Sequence, residues 1–195
     1  MAGRPEEPSD HIHPSGVQDA VGLRLRGRGV RHQRGHAGGG HPAGAFAVTK
    51  LFDDLPCCHR SWAHDGKCRF LHGYERSFEI EFTCAELDPV TGFVIDFSAL
   101  KDVRALLSHQ FDHTTLVAAN DPERPLFEEL ASRGVVDLRV MEHTGMEGAA
   151  AWVMDEAGRL VREATEGRVW IRRVEARECR KNSVVLTASS GDTAR

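Results

Sequence analysis

A short stretch of the chain contains two histidines and one cysteine whose spacing could support metal and proton chemistry. His59 and His72 are separated by a loop that contains Cys68, and an adjacent Asp112–His113 pair follows further along the chain. Neutral imidazoles that converge from two backbone elements are suitable zinc ligands. A positive ion favours the reactive thiolate of a nearby cysteine, and a carboxylate beside a histidine can set which ring nitrogen carries the proton. Such a combination is typical of an active site that moves protons.

The composition is that of one cytoplasmic domain. At 195 residues the chain is long enough for a substantial hydrophobic core, and no run approaches the roughly 20 apolar residues of a membrane span. The N-terminus lacks the apolar segment of a secretory signal. An odd number of cysteines is a poor disulfide framework and indicates a reducing compartment; the five are Cys57, Cys58, Cys68, Cys84 and Cys179.

Residues 1–44 differ in composition from the rest. They contain the Gly38–Gly40 run and six arginines against four acidic residues, with little apolar periodicity. Such a segment cannot bury enough apolar surface to offset its ordering entropy, so we predict that it is disordered or a non-native N-terminal extension. A basic arm could contact nucleic-acid phosphates. A misplaced start site is the stronger interpretation, and we expect neither a nucleic-acid nor a membrane partner.

Residues 45–195 are predicted to form one domain of strands and helices. Residues 78–84 alternate apolar with polar, the period-two pattern of a strand with one buried face. Ser98 is a suitable N-cap for a helix with one apolar stripe. Residues 121–144 are predicted to be an insertion with a short helix near 126–131 and a short strand near 136–140. The other predicted elements are strands Ala45–Phe52, Val169–Ala176 and Ser183–Leu186 and a long helix Glu147–Ala164.

Several segments together resemble the pterin synthase family. This family contains 6-pyruvoyl-tetrahydropterin synthase and the 6-carboxy-tetrahydropterin synthase of queuosine biosynthesis. The resemblance covers about positions 46–188, and its most specific parts are the cysteine, the histidines and the Asp-His pair. The segments that carry it are Phe52–His59, Lys67–Gly73, Gly92–Phe97 with Leu100–Lys101, Phe111–His113 with Leu116, and Val174–Cys179.

The resemblance implies an α+β tunnelling fold. The predicted elements give a four-stranded antiparallel sheet with two main helices on one face. In the family, protomers pair their sheets edge to edge into a barrel and two rings stack. The cysteine and the Asp-His pair typically come from neighbouring subunits. We therefore expect a homo-oligomer, hexamer-like, with active sites between subunits.

The resemblance also implies a role for each candidate residue. His59 and His72 would bind Zn²⁺, and Glu178 would accept hydrogen bonds from the N–H edge of the pterin. The catalytic acid–base groups would be Cys68, Asp112 and His113. The family has a late glutamate in a strand with the pattern Val-x-Val-x-Glu-Thr. Both Val174–Cys179 and Val140–Thr144 are similar to this pattern. Glu178 of the first segment is preferred because the family has a long helix before the strand.

The chain departs from the family pattern at one ligand position. Members usually read His-Gly-His, so that residues i and i+2 point to one face of a strand. Here the third residue is Tyr74. Either His64 in the preceding loop or Tyr74 as a phenolate could replace the missing histidine. His64 is slightly favoured because a neutral imidazole requires no deprotonation at neutral pH.

The function that this resemblance implies is that of a lyase. The expected reaction converts 7,8-dihydroneopterin triphosphate into 6-carboxy-tetrahydropterin, acetaldehyde and triphosphate. Two alternatives stay open: 6-pyruvoyl-tetrahydropterin synthase activity on the same site, and a non-catalytic relative that binds pterin. Lys67 and Arg69 flank Cys68 and could steer the triphosphate, or could be solvated loop charges.

Overall fold

A computed structural model describes residues 46–188, which form a six-stranded mixed sheet with three α-helices. The strand order is β4-β3-β1-β2-β5-β6. The prediction made for residues 1–44 lies outside the described residues. The strands are β1 Phe46–His59, β2 His72–Cys84, β3 Thr114–Ala118, β4 Leu138–Met141, β5 Val169–Arg177 and β6 Ser183–Thr187, and the helices are α1 Lys101–Phe111, α2 Arg124–Ser132 and α3 Met146–Ala164.

The long hairpin of β1 and β2 is the centre of the sheet. The two strands pair antiparallel from Phe46↔Cys84 to His59↔His72, with a bulge between Phe52 and Leu55. From Arg76 to Phe82 of β2, buried residues alternate with partly exposed ones, as the period-two pattern predicts, and Thr83 and Cys84 are both buried. One face of the hairpin is therefore continuous from the apolar core to the two histidines at its end.

The sheet differs from the predicted four antiparallel strands. β3 pairs parallel with the last three residues of β1, and β4 pairs parallel with β3. β2 pairs antiparallel with β5, and β5 pairs antiparallel with β6, so the two predicted hairpins do lie in one sheet. The α+β class is thus confirmed, whereas the strand count and the purely antiparallel order are wrong. β3 and β4 extend the sheet beyond β1.

The insertion contains the two predicted elements. Its helix is α2 and its strand is β4, so that β3, α2 and β4 form a parallel strand–helix–strand unit. Phe127 of α2 is buried, and the Arg60 guanidinium lies 5.8 Å from the centre of its ring. Arg60 also makes two hydrogen bonds to the buried Asp121 carboxylate, at 2.7 and 2.5 Å. The insertion is therefore fixed to the residue that follows β1.

Helices α1 and α3 cover the apolar part of the sheet. Phe78 of β2 stacks on Phe111 of α1 at 4.9 Å between ring centroids, and Phe111 meets Trp152 of α3 edge-on at 5.4 Å. Aromatic contacts of this geometry add to the gain from buried area. The core of the domain lies between these two helices and the sheet.

The first helix begins differently from the prediction. Asp96, rather than Ser98, is the capping residue, because its side chain accepts a hydrogen bond from the Ser98 backbone N–H. A 3-10 turn over Phe97–Leu100 follows, and α1 then begins at Lys101. Both residue types are good caps, and the polar side chain two positions earlier takes the role.

None of the helices within residues 46–188 is both long and apolar enough to cross a membrane.

We predict that Gly148→Ala destabilises the protein by about 1–3 kcal/mol, the usual cost of overpacking. A Cβ at this position of α3 would lie 2.2 Å from the backbone oxygen of His143, so the turn before the helix would have to move. Chemical denaturation measures the change. Gly158→Ala in the same helix is the control, since its Cβ would meet only the flexible end of Arg162, and we expect no loss there. Equal stability of Gly148→Ala and wild type would contradict the close packing of this turn.

Asp121→Asn should lower the free energy of unfolding by about 2 kcal/mol at neutral pH, because it removes a charged, two-point hydrogen bond from Arg60. This hydrogen bond lowers the pKa of Asp121 below its ordinary value. The stabilisation should therefore be present above the unfolded-state pKa of about 4 and be lost as the pH falls through the lower folded-state pKa. Denaturation curves from pH 7 to pH 3 measure the difference between variant and wild type.

Asp137→Asn, which changes an exposed ion pair with Arg139, is the control and should have a much smaller effect. A difference between Asp121→Asn and wild type that stays constant down to pH 3 would contradict the role of the Asp121 charge.

Candidate active site

His59 and His72 face each other at the end of the β1–β2 hairpin. They are directly paired in the register, and their ring centroids are 4.5 Å apart. Side chains of opposed residues in an antiparallel pair lie on the same face of the sheet. The hairpin register thus brings together the two imidazoles that are 13 positions apart in sequence.

Hydrogen bonds fix which nitrogen of each imidazole ring carries a proton. Burial lowers the pKa of His59, which favours the neutral ring. Its Nε2 lies 3.3 Å from the Glu178 carboxylate, which can only accept, so Nε2 carries the proton. The Nδ1 of His72 lies 2.6 Å from the Phe70 carbonyl oxygen and likewise carries its proton. In the neutral form of each ring the nitrogen with the lone pair is therefore Nδ1 on His59 and Nε2 on His72.

Glu178 follows β5 directly and lies beside the histidine pair. Residue Arg177 pairs with Ser77, so Glu178 lies next to Arg76 on the adjacent strand. Its Oε1 is 3.3 Å from His59 Nε2 and 3.6 Å from Arg76 Nη2. The hydrogen bond from His59 lowers the pKa of Glu178, outweighing the opposite effect of burial. Glu178 is therefore an ionised carboxylate in the wall of the site.

Tyr74 is the third ring in this cluster. It lies on the same face of β2 as His72, with its ring centroid 5.5 Å from that of His72 and 6.3 Å from that of His59. His64 has another contact: its Nδ1 accepts a hydrogen bond of 2.7 Å from the Gly66 backbone N–H. Of the two candidate third ligands, Tyr74 is the one that contacts the histidine pair, contrary to the slight preference for His64.

Cys68 lies in the loop between the two histidines. It forms part of a 3-10 turn over Lys67–Arg69, and its carbonyl oxygen accepts a 2.8 Å hydrogen bond from the Ser61 backbone N–H. The residue is exposed, as a reactive thiol requires. Within residues 46–188, no hydrogen bond or ion pair joins Cys68 to either imidazole. The loop therefore presents Cys68 to solvent.

The Asp112–His113 pair forms in the turn between α1 and β3. His113 Nδ1 lies 2.5 Å from Asp112 Oδ1, so the carboxylate orients the ring. The His113 backbone has φ +57° and its N–H donates to the Pro56 carbonyl oxygen at 2.6 Å. Both side chains are accessible, with 85% of the His113 side chain exposed. Among the described residues, no hydrogen bond, ion pair or ring contact joins this pair to the histidine cluster.

Two site residues were missed by the sequence analysis. Arg76 is almost fully buried beside Glu178, and its Nη2 donates to the Thr144 carbonyl oxygen at 2.7 Å. Thr144, in the turn before α3, is also buried. The alternation of β2 did contain a signal for Arg76, because the residue stands at an inward position, two residues before Phe78.

The donor atoms of the cluster fit a zinc ion in part. His59 Nδ1 is buried and has no hydrogen-bond partner, and a metal ion would satisfy such a lone pair. A zinc-bound histidine commonly donates its other N–H to a carboxylate or a backbone carbonyl, as His59 and His72 do. Within residues 46–188, no three His, Cys, Asp and Glu side chains are arranged to hold a metal ion. Tyr74, which is none of these types, lies beside both rings and could supply a third donor.

Comparisons with known proteins agree on the family. A family model described as 6-pyruvoyl tetrahydropterin synthase matches residues 48–189. The 6-carboxy-5,6,7,8-tetrahydropterin synthase of Rickettsia felis is 38% identical over 66 residues, which are 33% of this chain and 47% of that protein. That of Rickettsia typhi is 34% identical over 71 residues, 36% of this chain and 51% of that protein. The chain thus spans about half the length of the curated relatives it matches.

Solved structures show the same fold. An uncharacterized protein of Wolinella succinogenes superposes with a TM-score of 0.62 at 20% identity, covering 74% of this chain and 99% of that one. The 6-pyruvoyl tetrahydropterin synthase of Caenorhabditis elegans gives a TM-score of 0.52 at 19% identity, with 75% and 97% covered. At these identities the likeness establishes the fold alone.

We predict that His59→Ala and His72→Ala each abolish binding of zinc at equimolar concentration. The described site offers two imidazole donors, and each substitution leaves only one. Tyr74→Phe should weaken zinc binding because it removes the phenolic oxygen beside the two rings, whereas His64→Ala should leave it unchanged. Competition with a chromophoric chelator measures the affinities. His109→Ala, on α1, is the control for loss of a histidine outside the cluster. Full zinc affinity in His72→Ala would contradict the assignment of this pair.

Proposed function

Because the chain belongs to the 6-pyruvoyl tetrahydropterin synthase family, we propose that it is a zinc-dependent carbon–carbon lyase. The proposed reaction converts 7,8-dihydroneopterin triphosphate and one water molecule into 6-carboxy-tetrahydropterin, acetaldehyde and triphosphate, a step of queuosine and deazapurine biosynthesis. The partial matches to proteins named 6-carboxy-5,6,7,8-tetrahydropterin synthase support this choice of product. The observation that carries the proposal is the cluster of His59, His72 and Glu178 at the end of the hairpin.

His59 and His72 are the residues that would hold the zinc ion, with Tyr74 or water completing the set. When bound, zinc supplies Lewis acidity, which makes the side-chain hydroxyls of the substrate more acidic and polarises a developing carbonyl. The hydrogen bonds of both rings prepare them for this role, because each ring has its proton directed at an oxygen and its other nitrogen open.

Glu178 would bind the pterin ring. An ionised carboxylate accepts hydrogen bonds through two oxygens, which suits the neighbouring N–H groups of an amidine-like ring edge. Its shortest contacts to His59 and to Arg76 both fall on Oε1. Oε2 would accept from the ligand while Oε1 keeps these contacts.

Cys68 and His113 are the proposed proton carriers. Cys68, as thiolate, would remove or return a proton on the carbon side chain of the substrate, and His113, oriented by Asp112, would act as the second acid–base group. Both are exposed and lie in turns, and among the described residues neither has a hydrogen bond or ion pair with His59 or His72. Such positions suit groups that complete the site of a neighbouring subunit.

We also propose that the protein is a homo-oligomer whose sheets pair edge to edge. Among residues 46–188, β3 pairs only with Cys57–His59 of β1, so Ala47–Leu55 of β1 lacks a described strand partner on that side. β6 forms the other free edge of this part of the sheet. Exposed edges of this kind favour pairing with another chain. Joining one protomer's β1 edge to the next protomer's β6 edge would extend the sheet.

Two observations favour the two alternative functions, a 6-pyruvoyl product and pterin binding without conversion. The matching family model is described as 6-pyruvoyl tetrahydropterin synthase, which supports a 6-pyruvoyl product as the alternative. The incomplete set of zinc ligands around Tyr74 favours a relative that binds pterin without converting it. Acetaldehyde formation distinguishes the proposed lyase from both.

We predict that zinc-loaded protein releases acetaldehyde from 7,8-dihydroneopterin triphosphate and that Cys68→Ala is about 10²–10⁴-fold slower, the usual contribution of a positioned acid–base group. Acetaldehyde is measured with a coupled dehydrogenase, and the pterin product by mass spectrometry. Cys179→Ala is the matched control, because this cysteine is also exposed but has no proposed role. Equal rates for Cys68→Ala and wild type would remove Cys68 from the mechanism, and a 6-pyruvoyl product would establish the alternative reaction.

A further inference from the structure

Arg76 is a charged residue at a position where the fold would accept an apolar one. It stands on β2 in line with Phe78, Ile80 and Phe82, whose side chains are all fully buried in the core. Only 1% of its surface is exposed. A buried guanidinium is costly unless its donors are paired, and replacing such a group by an apolar side chain is often neutral or stabilising. Its presence therefore requires an explanation other than packing.

The hydrogen bonds of Arg76 are incomplete and concentrated on the candidate site. Nη2 donates to the Thr144 carbonyl oxygen at 2.7 Å and lies 3.6 Å from Glu178 Oε1. Nε and Nη1 are buried and have no partner. A group whose role was only to stabilise the core would have its donors satisfied. Arg76 instead makes one hydrogen bond, to the turn before α3, and one longer contact, to the proposed ligand-binding carboxylate.

Arg76 also links the site to the insertion. The Thr144 hydroxyl donates to the Arg60 carbonyl oxygen at 2.9 Å, and the Arg60 side chain holds Asp121. Thr144 therefore joins β2, the end of β1 and the turn before α3. Through Arg76 the same contacts reach Glu178, so that the carboxylate, the strand and the turn are held in one arrangement.

We propose that Arg76 is a positioning residue that fixes the Glu178 carboxylate relative to the turn before α3 and so determines how selectively the site reads a ring edge with two N–H donors. The inference deepens the proposed function and depends on it, because it takes Glu178 as the acceptor for the pterin. The shortest contacts of His59 and Arg76 to Glu178 both fall on Oε1, at 3.3 and 3.6 Å, so two donors restrain the same end of the carboxylate. Specificity of this kind requires a fixed acceptor, since a carboxylate free to turn can adapt to a ring with fewer donors.

The test compares two fluorescent rings, pterin and lumazine, by equilibrium titration of the full chain. Lumazine has a carbonyl in place of the 2-amino group, so it offers Glu178 one donor fewer and directs an acceptor at the carboxylate. Wild type should bind pterin about 10–100-fold more tightly, the effect of losing one hydrogen bond to a charged group. In Arg76→Met this preference should fall to less than about threefold, while the thermal transition stays cooperative.

Arg76→Gln is the second variant and decides the matter if Arg76→Met does not fold. It should also lose most of the preference, since it lacks the charge and the fork of donors. Arg159→Met is the matched control on the exposed side of α3 and should keep the wild-type ratio. A wild-type preference that persists in the folded Arg76 variants would overturn the role of Arg76 alone. A wild-type protein that does not prefer pterin would overturn the ring-reading role of Glu178 in the proposed function and, with it, this inference.

Discussion

The pairing of His59 with His72 across the β1–β2 hairpin is the constraint on which the rest of the site depends. A shift of one residue in this register would move one imidazole to the opposite face of the sheet. The bulge between Phe52 and Leu55 lies on the path between the apolar core and the histidines, so it sets which residues of β1 point inward at the end. The register is thus specified by the core and used by the site.

Around this pair the fold gathers charged groups that would be costly elsewhere. Glu178, Arg76 and His59 form one cluster in which a partly buried carboxylate contacts both a buried imidazole and a buried guanidinium. Their mutual contacts offset part of the cost of removing them from water. The donors left without partners, together with the open lone pair of His59, show that this cluster is not self-sufficient in its polar contacts. Incomplete polar networks of this kind are typical of places where a ligand belongs.

Much of the fold could be predicted from the sequence, but for reasons that differ between elements. The alternation of Phe78 to Cys84 and the apolar stripe of α3 report one buried face each, and both elements were located correctly. β3 was missed because all five of its residues are buried, so it shows no alternation and too short an apolar run to identify. Without β3, the parallel pairing of β4 could not be foreseen either.

The candidate site could be predicted only for residues with specific neighbours in sequence. The histidines and Asp112–His113 are part of distinctive short patterns, and the structure places the first two rings together and the last two side chains in contact. Arg76 and Thr144 belong to no such pattern, and their contact spans 68 positions. The preference for His64 over Tyr74 considered only the protonation of each group. The strand geometry puts Tyr74 beside both rings, and the identity of the third ligand stays a prediction.

The claim that the hairpin register creates a metal site for two imidazoles is tested most directly by X-ray absorption at the zinc edge of the zinc-loaded full chain. This account predicts a first shell of nitrogen and oxygen at about 2.0–2.2 Å, with the outer-shell scattering of two imidazole rings. The His59→Ala and His72→Ala variants, which should not retain zinc, should lack this signal altogether. A sulfur shell at about 2.3 Å, or a spectrum with no imidazole scattering, would contradict it.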